Sequence, residues 1–330
     1  MDGEVFAYLA TGIAPEMRCI TLIYRFVISV MLMPVYVRIL WSLLSKKKFR
    51  SNVAYLLIVN IGITDIFFLL TVFWAAIMSV RAETIGHTYL QGITTAACFY
   101  RCLYFMAYFT FSLLLAVNRL LVINECTIVP DKLYKLLMCV AWLIIAVVFP
   151  FLFVHYELET EYDVDFAMLF SMGYILEDVV HKIEVPLYIC ICATYLILVL
   201  GLVVKRKKLR QKLRISSPEG RLALQTVFLF VPQGVVFIFM MLLQTTSLQS
   251  NLENTLLFYA IVNPKYIVAI NIVNDLLPLS YLSVLVAFNT EIRKVLKIPC
   301  GSTKTVKIYV APNSRAQASQ SPRTSQMLIK

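Results

Sequence analysis

Hydrophobic and polar positions along this 330-residue chain alternate on the scale of whole helices. Long apolar stretches are separated by short polar segments that carry most of the charged side chains. An α-helix needs about 20 apolar residues to cross the hydrocarbon core of a bilayer. The pattern predicts seven membrane-spanning helices, near residues 20–44, 53–80, 91–123, 133–154, 184–204, 222–243 and 264–288. The predicted fold class is an all-α membrane protein, a seven-transmembrane helix bundle.

The polar segments are basic on one side of this predicted bundle and acidic on the other. Lys and Arg follow the first, third, fifth and seventh spans, in the segments 46–50, 132–135, 205–214 and 293–297. Acidic residues concentrate at the N-terminus and after the fourth span. Because Lys and Arg in short loops stay in the cytoplasm, the pattern predicts an external N-terminus and an internal C-terminus.

Composition narrows the class of protein further. The chain is 60% hydrophobic and 15% charged, with a mean hydropathy of +0.79, which is too apolar for a soluble domain of this length. The net charge of +11 would suggest a nucleic-acid partner in a soluble protein. Here the cations lie at helix ends, where topology and anionic inner-leaflet lipids account for them, so we expect membrane lipids and no nucleic acid. The eight Cys lack zinc-site spacing, and we expect no metal centre and no cofactor.

The same pattern divides the chain into four regions. They are an extracellular N-terminus (1–19), the seven-transmembrane domain (20–288), an amphipathic membrane-surface helix (289–299) and a disordered cytoplasmic tail (300–330). Apolar residues recur at helical spacing between 288 and 296, with charges between them, as in helices that lie on a membrane. Cys300 follows that helix and is a candidate for palmitoylation, with an unmodified thiol as the alternative.

Among the ionisable side chains of the predicted spans, we single out Arg25, Asp65, Arg101, Arg119 and Asp275. A charge at this depth costs about 3 kcal/mol or more unless it is paired or hydrated, so each is a functional candidate. The carboxylates of Asp65 and Asp275 favour a polar switch cluster, with a candidate cation site near Asp65. The alternative is a structural hydrogen-bond clamp. Arg119 by itself is also typical of a side chain that reaches for the membrane interface.

Several residues stand in an order that resembles the rhodopsin-like G-protein-coupled receptors. They are Asn60 and Asp65 in the second span, Arg119 ending the third, Trp142, Pro186 and Pro232 in the next three, and Pro278 with Tyr281 in the seventh. The resemblance covers nearly the whole chain. It rests on the order of these residues taken together, because no single motif among them is specific. Leu277 stands where that family places an Asn. The outer loop between Tyr156 and Lys182 has no Cys, so the family's usual disulfide to the third span cannot form. A disulfide between Cys98 and the distant Cys19 is one possibility. The alternative is that both cysteines are free thiols.

Finer details resemble a narrower group. Asn118, instead of an acidic residue, precedes Arg119, and Asn274 with Asp275 precedes Pro278. This looks like the nematode serpentine chemoreceptors of the Srg superfamily, with the Srv class the closest match. The resemblance implies a multi-pass plasma-membrane receptor, in sensory cilia, that binds a small molecule from outside and activates a heterotrimeric G protein.

The resemblance also implies roles for named residues. Arg119 would hold the inactive state and meet the G protein when the sixth span swings about Pro232. The other switch residues would be Asp65, Asn118, Asn274, Asp275, Pro278 and Tyr281.

Arg101 precedes Arg119 by 18 residues, five turns at 3.6 residues per turn, so both lie on one face of the third span. By resemblance the outer position faces the ligand. A cation there suits an anionic group on the ligand, with Tyr104, Phe105 and Tyr108 as aromatic walls. The alternative is an internal ion pair between Arg101 and Glu184 or an acidic-loop residue.

Other function classes fit less well. No metalloprotease, serine-hydrolase or P-loop motif occurs, so an enzyme is not expected. Ionisable residues at depth leave a small-molecule transporter open, but no internal repeat supports it. A chemosensory ligand-gated ion channel is the main rival, and its internal N-terminus would oppose the charge pattern.

Overall fold

The computed structural model describes residues 15–81, 88–123, 129–148, 151, 160–163, 168–171, 174–208, 228, 231–232, 234–238 and 271–296. Its helices are α1 (Pro15–Ser45), α2 (Lys47–Arg50), α3 (Val53–Arg81), α4 (Thr88–Ile123), α5 (Asp131–Leu143), α6 (Tyr174–Lys208), α7 (Leu277–Phe288) and α8 (Thr290–Leu296). A π-helical turn, Ile144–Val148, continues α5. Strands β1 (Thr160–Asp163) and β2 (Met168–Ser171) lie between α5 and α6.

Four of the described helices are long and apolar enough to cross a membrane. These segments are Cys19–Ser45, Val53–Met78, Leu103–Val122 and Lys182–Gly201, and they overlap the first, second, third and fifth predicted spans. The shorter apolar helix α7 lies in the seventh. The helical class is therefore confirmed for these segments. Much of the sixth span and the residues around Cys300 lie outside the described part of the chain, and the number of spans and the orientation stay predictions.

One element departs from the all-α expectation. β1 and β2 form an antiparallel hairpin in which Thr160 pairs with Ser171 and Asp163 pairs with Met168. The hairpin contacts α4. The hydrophobic pattern that predicts membrane spans gives no signal for a short hairpin in a loop. The hairpin forms because the backbone groups of its two strands hydrogen-bond to each other. The hairpin gives the long loop a contact with the third span that needs no cysteine.

The core lies along α3 and α4. α1 packs on α3, α3 on α4, and α4 on α6. Leu57 and Phe68 of α3 are fully buried, as are Leu103 and Phe109 of α4. By contrast, Trp41 on the outer face of α1 is 74% exposed. Apolar side chains that face outward are expected where the solvent is lipid.

The close approach of α1 to α3 depends on a glycine, Gly62, which has no side chain at the contact. A Cβ atom built on Gly62 would lie 2.7 Å from Leu40 Cδ2 of α1. Small residues serve this purpose in membrane helices because van der Waals packing supplies much of their association. The contact brings the polar side chains of α1 within reach of α3.

Candidate functional site

Asp275 joins three helical segments. It lies at the end of the helical stretch 271–275, just before α7, and its carboxylate is fully buried. Arg25 of α1 donates from Nε to Asp275 Oδ2 at 2.7 Å. Arg101 of α4 places Nη1 3.3 Å from Asp275 Oδ1. One carboxylate therefore holds the first, third and seventh predicted spans together.

Arg101 has two further neighbours. Its Nη2 donates to the Asn271 side-chain oxygen at 3.3 Å, and its guanidinium lies over the ring of Phe68, 5.6 Å from the centroid. A cation over an aromatic face is attracted by the ring quadrupole. The ion pair with Asp275 was not among the partners that sequence reasoning proposed, which were Glu184 and the acidic loop. The ligand role of Arg101 stays a prediction.

Asp65 forms a second buried centre on α3. Tyr36 of α1 donates to Asp65 Oδ2 at 2.7 Å, and Tyr104 of α4 donates to Oδ1 at 2.9 Å. The Tyr36 hydroxyl also lies 2.6 Å from the carbonyl oxygen of Pro278. Each carboxylate oxygen accepts from one hydroxyl group, so a cation at Asp65 would share these oxygens with Tyr36 and Tyr104. No cluster of three or more His, Cys, Asp or Glu occurs in the described part of the chain.

A polar pair also sits where α3 meets α5. Trp142 donates from Nε1 to the Asn60 side-chain oxygen at 2.6 Å, while the Asn60 amide donates to the Leu56 carbonyl at 2.7 Å. These contacts tie the second predicted span to the fourth. With the Asp65 and Asp275 centres, they involve five of the residues that carried the sequence resemblance, namely Asn60, Asp65, Trp142, Asp275 and Pro278.

Comparison with known protein families identifies the family of the chain. A family model described as serpentine type 7TM GPCR chemoreceptor Srv matches residues 25–274, which is more than half of the chain. The chain belongs to the Srv family. The prediction of the Srv class is confirmed. Among curated proteins, no relative matches the chain. An Srv chain is a seven-transmembrane chemoreceptor by family, a membrane protein of a non-enzymatic kind.

The aromatic residues expected to line the Srv ligand site are all buried between helices. Tyr104 stacks on Phe68 with ring centroids 4.1 Å apart. Phe105 lies 5.9 Å from Phe237 of the sixth span, and Tyr108 meets Tyr281 of α7 edge-on at 6.0 Å. The three side chains therefore point to three different neighbours, and their contact with a ligand stays a prediction.

A cluster of aromatic rings joins the third, fifth and sixth spans of this Srv chain. Phe109 of α4, Tyr188 of α6 and Phe237 have ring centroids 5.1 to 5.5 Å apart. A Cβ atom on Gly234 would clash with the Tyr188 hydroxyl. Gly234 follows Pro232 by two residues, and Pro232 itself is half-buried. Sequence reasoning missed this cluster, although Phe105 and Phe109 recur at helical spacing.

The predicted inner end of the third span holds Arg119. Its Nη1 atom is buried and has no hydrogen-bond partner among the described residues, and no ion pair to Arg119 occurs among them. Tyr195 of α6 and Tyr281 of α7 lie within electrostatic range of its guanidinium. The buried Tyr281 hydroxyl likewise lacks a hydrogen-bond partner in the described part of the chain.

Asn118 faces a different helix. Its side chain lies close to the Tyr134 hydroxyl of α5, without an aligned hydrogen bond. Asn274 is buried, and its side-chain oxygen receives no hydrogen bond from the described residues. Pro278 opens α7, where a missing N–H is tolerated. The switch roles of these residues stay predictions.

Sequence reasoning left three site residues without a role. Arg25 was visible as a cation inside an apolar stretch, which is the signal that could have identified it. Tyr36 and Asn271 carried weaker signals, because a lone Tyr or Asn is common in membrane helices. Their contacts with Asp65 and Arg101 depend on packing between distant parts of the chain. Neither Cys19, which is exposed, nor Cys98, which is buried, forms a disulfide.

Proposed function

We propose that this Srv chain is a G-protein-coupled chemosensory receptor of the plasma membrane, in sensory cilia, that binds a small anionic molecule from outside and activates a heterotrimeric G protein. Arg101 is the observation that carries the proposal. Its side chain is 9% exposed while its partner Asp275 is fully buried. An ionised side chain kept in a membrane helix marks a functional site, and a guanidinium favours an anion.

Contacts that run along α3, α4 and α7 support transmission from this site. Arg101 lies over Phe68, Phe68 stacks on Tyr104, and Tyr104 donates to Asp65. Tyr36 then connects Asp65 to the Pro278 carbonyl at the start of α7. A ligand that shifts Arg101 therefore acts on a continuous set of packed and hydrogen-bonded groups.

The inner end supports coupling to a partner. Arg119 Nη1 and the Tyr281 hydroxyl are buried polar atoms without hydrogen-bond partners among the described residues. A buried polar atom without a hydrogen-bond partner costs about 1–3 kcal/mol. A second state in which these atoms gain partners is favoured by the same amount. Arg119 lies 18 residues from Arg101, about 27 Å along the helix at 1.5 Å per residue. We infer that an active state, in which the sixth span moves about Pro232, offers Arg119 to the G protein.

Direct measurement of coupling tests the proposal. Cells expressing the chain are exposed to small carboxylic acids, their neutral esters and amines, while G-protein dissociation and whole-cell current are recorded together. We expect a G-protein signal that Arg119→Ala abolishes at equal surface expression. Arg38→Ala, which removes an exposed arginine of α1, is the matched control and should leave the signal in place.

The main alternative is a ligand-gated channel. A current that persists when G proteins are blocked would establish the channel and remove the role given to Arg119. An N-terminal tag that antibodies cannot reach on intact cells would also contradict the receptor, because the charge pattern requires an external N-terminus. Uptake of a labelled acid without either signal would indicate a transporter.

A further inference from the structure

The carboxylate of Asp275 is divided between two arginines. Oδ2 lies 2.7 Å from Arg25 Nε, and Oδ1 lies 3.3 Å from Arg101 Nη1. A full arginine–carboxylate pair is bidentate, with two N–H donors on two oxygens at about 2.7–2.9 Å. Arg25 and Arg101 each reach Asp275 through one nitrogen and one oxygen, and the Arg101 contact is the longer of the two. The Arg101 ion pair is incomplete in the geometry that guanidinium groups favour.

The two arginines also differ in access. The Arg101 side chain is 9% exposed, whereas those of Arg25 and Asp275 are fully buried. The other contacts of Arg101, the Asn271 side-chain oxygen and the Phe68 ring, are neutral. Of the three charged side chains, Arg101 is therefore the one with accessible surface, and it forms the longer of the two ion pairs.

We propose that Asp275 is an internal substitute for the anionic group of the ligand. A ligand carboxylate takes the place of Asp275 Oδ1 on Arg101, where it can bind through both oxygens, and Asp275 stays paired with Arg25. This inference rests on the proposed receptor function and narrows the ligand class to small organic acids. It makes Arg25 a positioning residue, since Arg25 determines how much of the Asp275 charge remains on Arg101.

The exchange keeps every buried charge compensated. Arg101 passes from one carboxylate to another, and Asp275 retains a cation throughout. A neutral ligand of the same shape would leave Arg101 without an anionic partner on displacing Asp275, and an unpaired buried charge is strongly unfavourable. Selectivity for the acid over its ester or amide follows from this difference.

Two sets of substitutions change anion binding in opposite directions. Arg25→Gln leaves Asp275 wholly to Arg101, and butyrate affinity should fall about tenfold, the factor that corresponds to a change of one unit in log Kd. Arg25→Gln combined with Asp275→Asn removes one charge of each sign and leaves Arg101 without an internal competitor. That double variant should bind butyrate about tenfold more tightly than the native chain. If only the local net charge mattered, it would bind like the native chain.

Binding can be measured without a signalling assay. The full-length chain and its variants are purified in lipid nanodiscs, and thermal unfolding is followed against potassium butyrate, with potassium chloride at equal ionic strength. Butyramide is the neutral probe of matched shape. A ligand that binds the folded state raises the unfolding temperature in proportion to its occupancy, which yields an apparent Kd. Arg38→Gln is the control for loss of an arginine from α1.

The expected order of butyrate affinity is double variant, native chain, then Arg25→Gln, with no effect of butyramide. Adding Arg101→Gln to the double variant should abolish the shift. Equal binding by the double variant and the native chain would overturn the inference, as would an equal shift with butyramide or no butyrate shift in the double variant. If this order holds but no G protein responds, the proposed function fails and the binding inference stands. If acids activate the G protein equally in the native chain and in both variants, the proposed function stands and the binding inference fails.

Discussion

The Tyr36 hydroxyl of α1 lies 2.7 Å from the Asp65 carboxylate of α3, and the same hydroxyl lies 2.6 Å from the Pro278 carbonyl. A phenol has a single proton to donate, so it serves one of these two acceptors at a time. Tyr36, Asp65 and Pro278 are all buried from water. The hydroxyl therefore lies between the carboxylate of the second span and the first turn of α7, and it can donate its proton to either acceptor.

Tyr36→Phe removes this donor while keeping the ring. We expect a loss of about 1–3 kcal/mol in the free energy of unfolding, because a buried acceptor is left unsatisfied. We also expect a change in basal G-protein signalling, measured at matched surface expression. Tyr24→Phe is the control, since Tyr24 also lies on α1 and donates to a carbonyl, that of Ile272, at 2.7 Å. Equal behaviour of the two variants would remove the special role of the carboxylate.

Sodium dependence tests the candidate cation site at Asp65. Tyr104 donates to Asp65 Oδ1, so Tyr104→Phe frees one carboxylate oxygen in a buried position. We expect replacement of Na⁺ by N-methylglucamine to lower the unfolding temperature of Tyr104→Phe more than that of the native chain. Tyr108→Phe, one turn further along α4, serves as the control. Equal and large sodium effects in the native chain and Tyr104→Phe would mean that a cation binds without displacing Tyr104.

Contact between α6 and the sixth span depends on Gly234. Because an added Cβ meets the Tyr188 hydroxyl, Gly234→Ala should cost about 1–3 kcal/mol of stability and reduce agonist-stimulated signalling. Tyr188→Phe removes the clashing oxygen and should restore part of the loss in the double variant. Gly201→Ala is the matched control, because nothing lies within 4 Å of an added Cβ there. Additive effects of the two changes would contradict the contact.

Basal activity should be sensitive to the residue before Arg119. Asn118→Asp introduces a carboxylate that can turn from Tyr134 to the adjacent Arg119 and restrain its guanidinium, since a charged hydrogen bond is about twice as strong as a neutral one. We expect a lower basal G-protein signal at equal expression. Tyr134→Phe reports separately on the neighbour that Asn118 has in this structure. Unchanged basal and stimulated signalling in Asn118→Asp would show that the acidic residue is not needed as a restraint.

Much of the helical architecture follows from local pattern. The predicted second span, 53–80, agrees with α3 (Val53–Arg81), and the third, 91–123, agrees with α4 (Thr88–Ile123). The helix that contains the fifth predicted span, 184–204, is longer than the span, because α6 begins at Tyr174, in the polar outer-loop sequence. Hydropathy detects the part of a helix that lipid surrounds and has no signal for a continuation into water. The hairpin at Thr160–Ser171 escaped for the same reason.

The sequence alone determined that this chain is a helical membrane protein of the Srv kind, and which ionisable groups, Asp65 and Arg101 among them, lie in apolar surroundings. The helical membrane class and the placing of these groups follow from composition and order along the chain, and the Srv kind follows from the resemblance of its motifs to that family. Tertiary structure alone decided the partners: Arg101 meets Asp275 across 174 residues, and Tyr36 meets the Pro278 carbonyl across 242. Helical periodicity gives the face on which a side chain lies, but the neighbour of that face depends on how the helices pack. In a membrane this packing is decided by shape and by hydrogen bonds, which leave little trace in hydropathy.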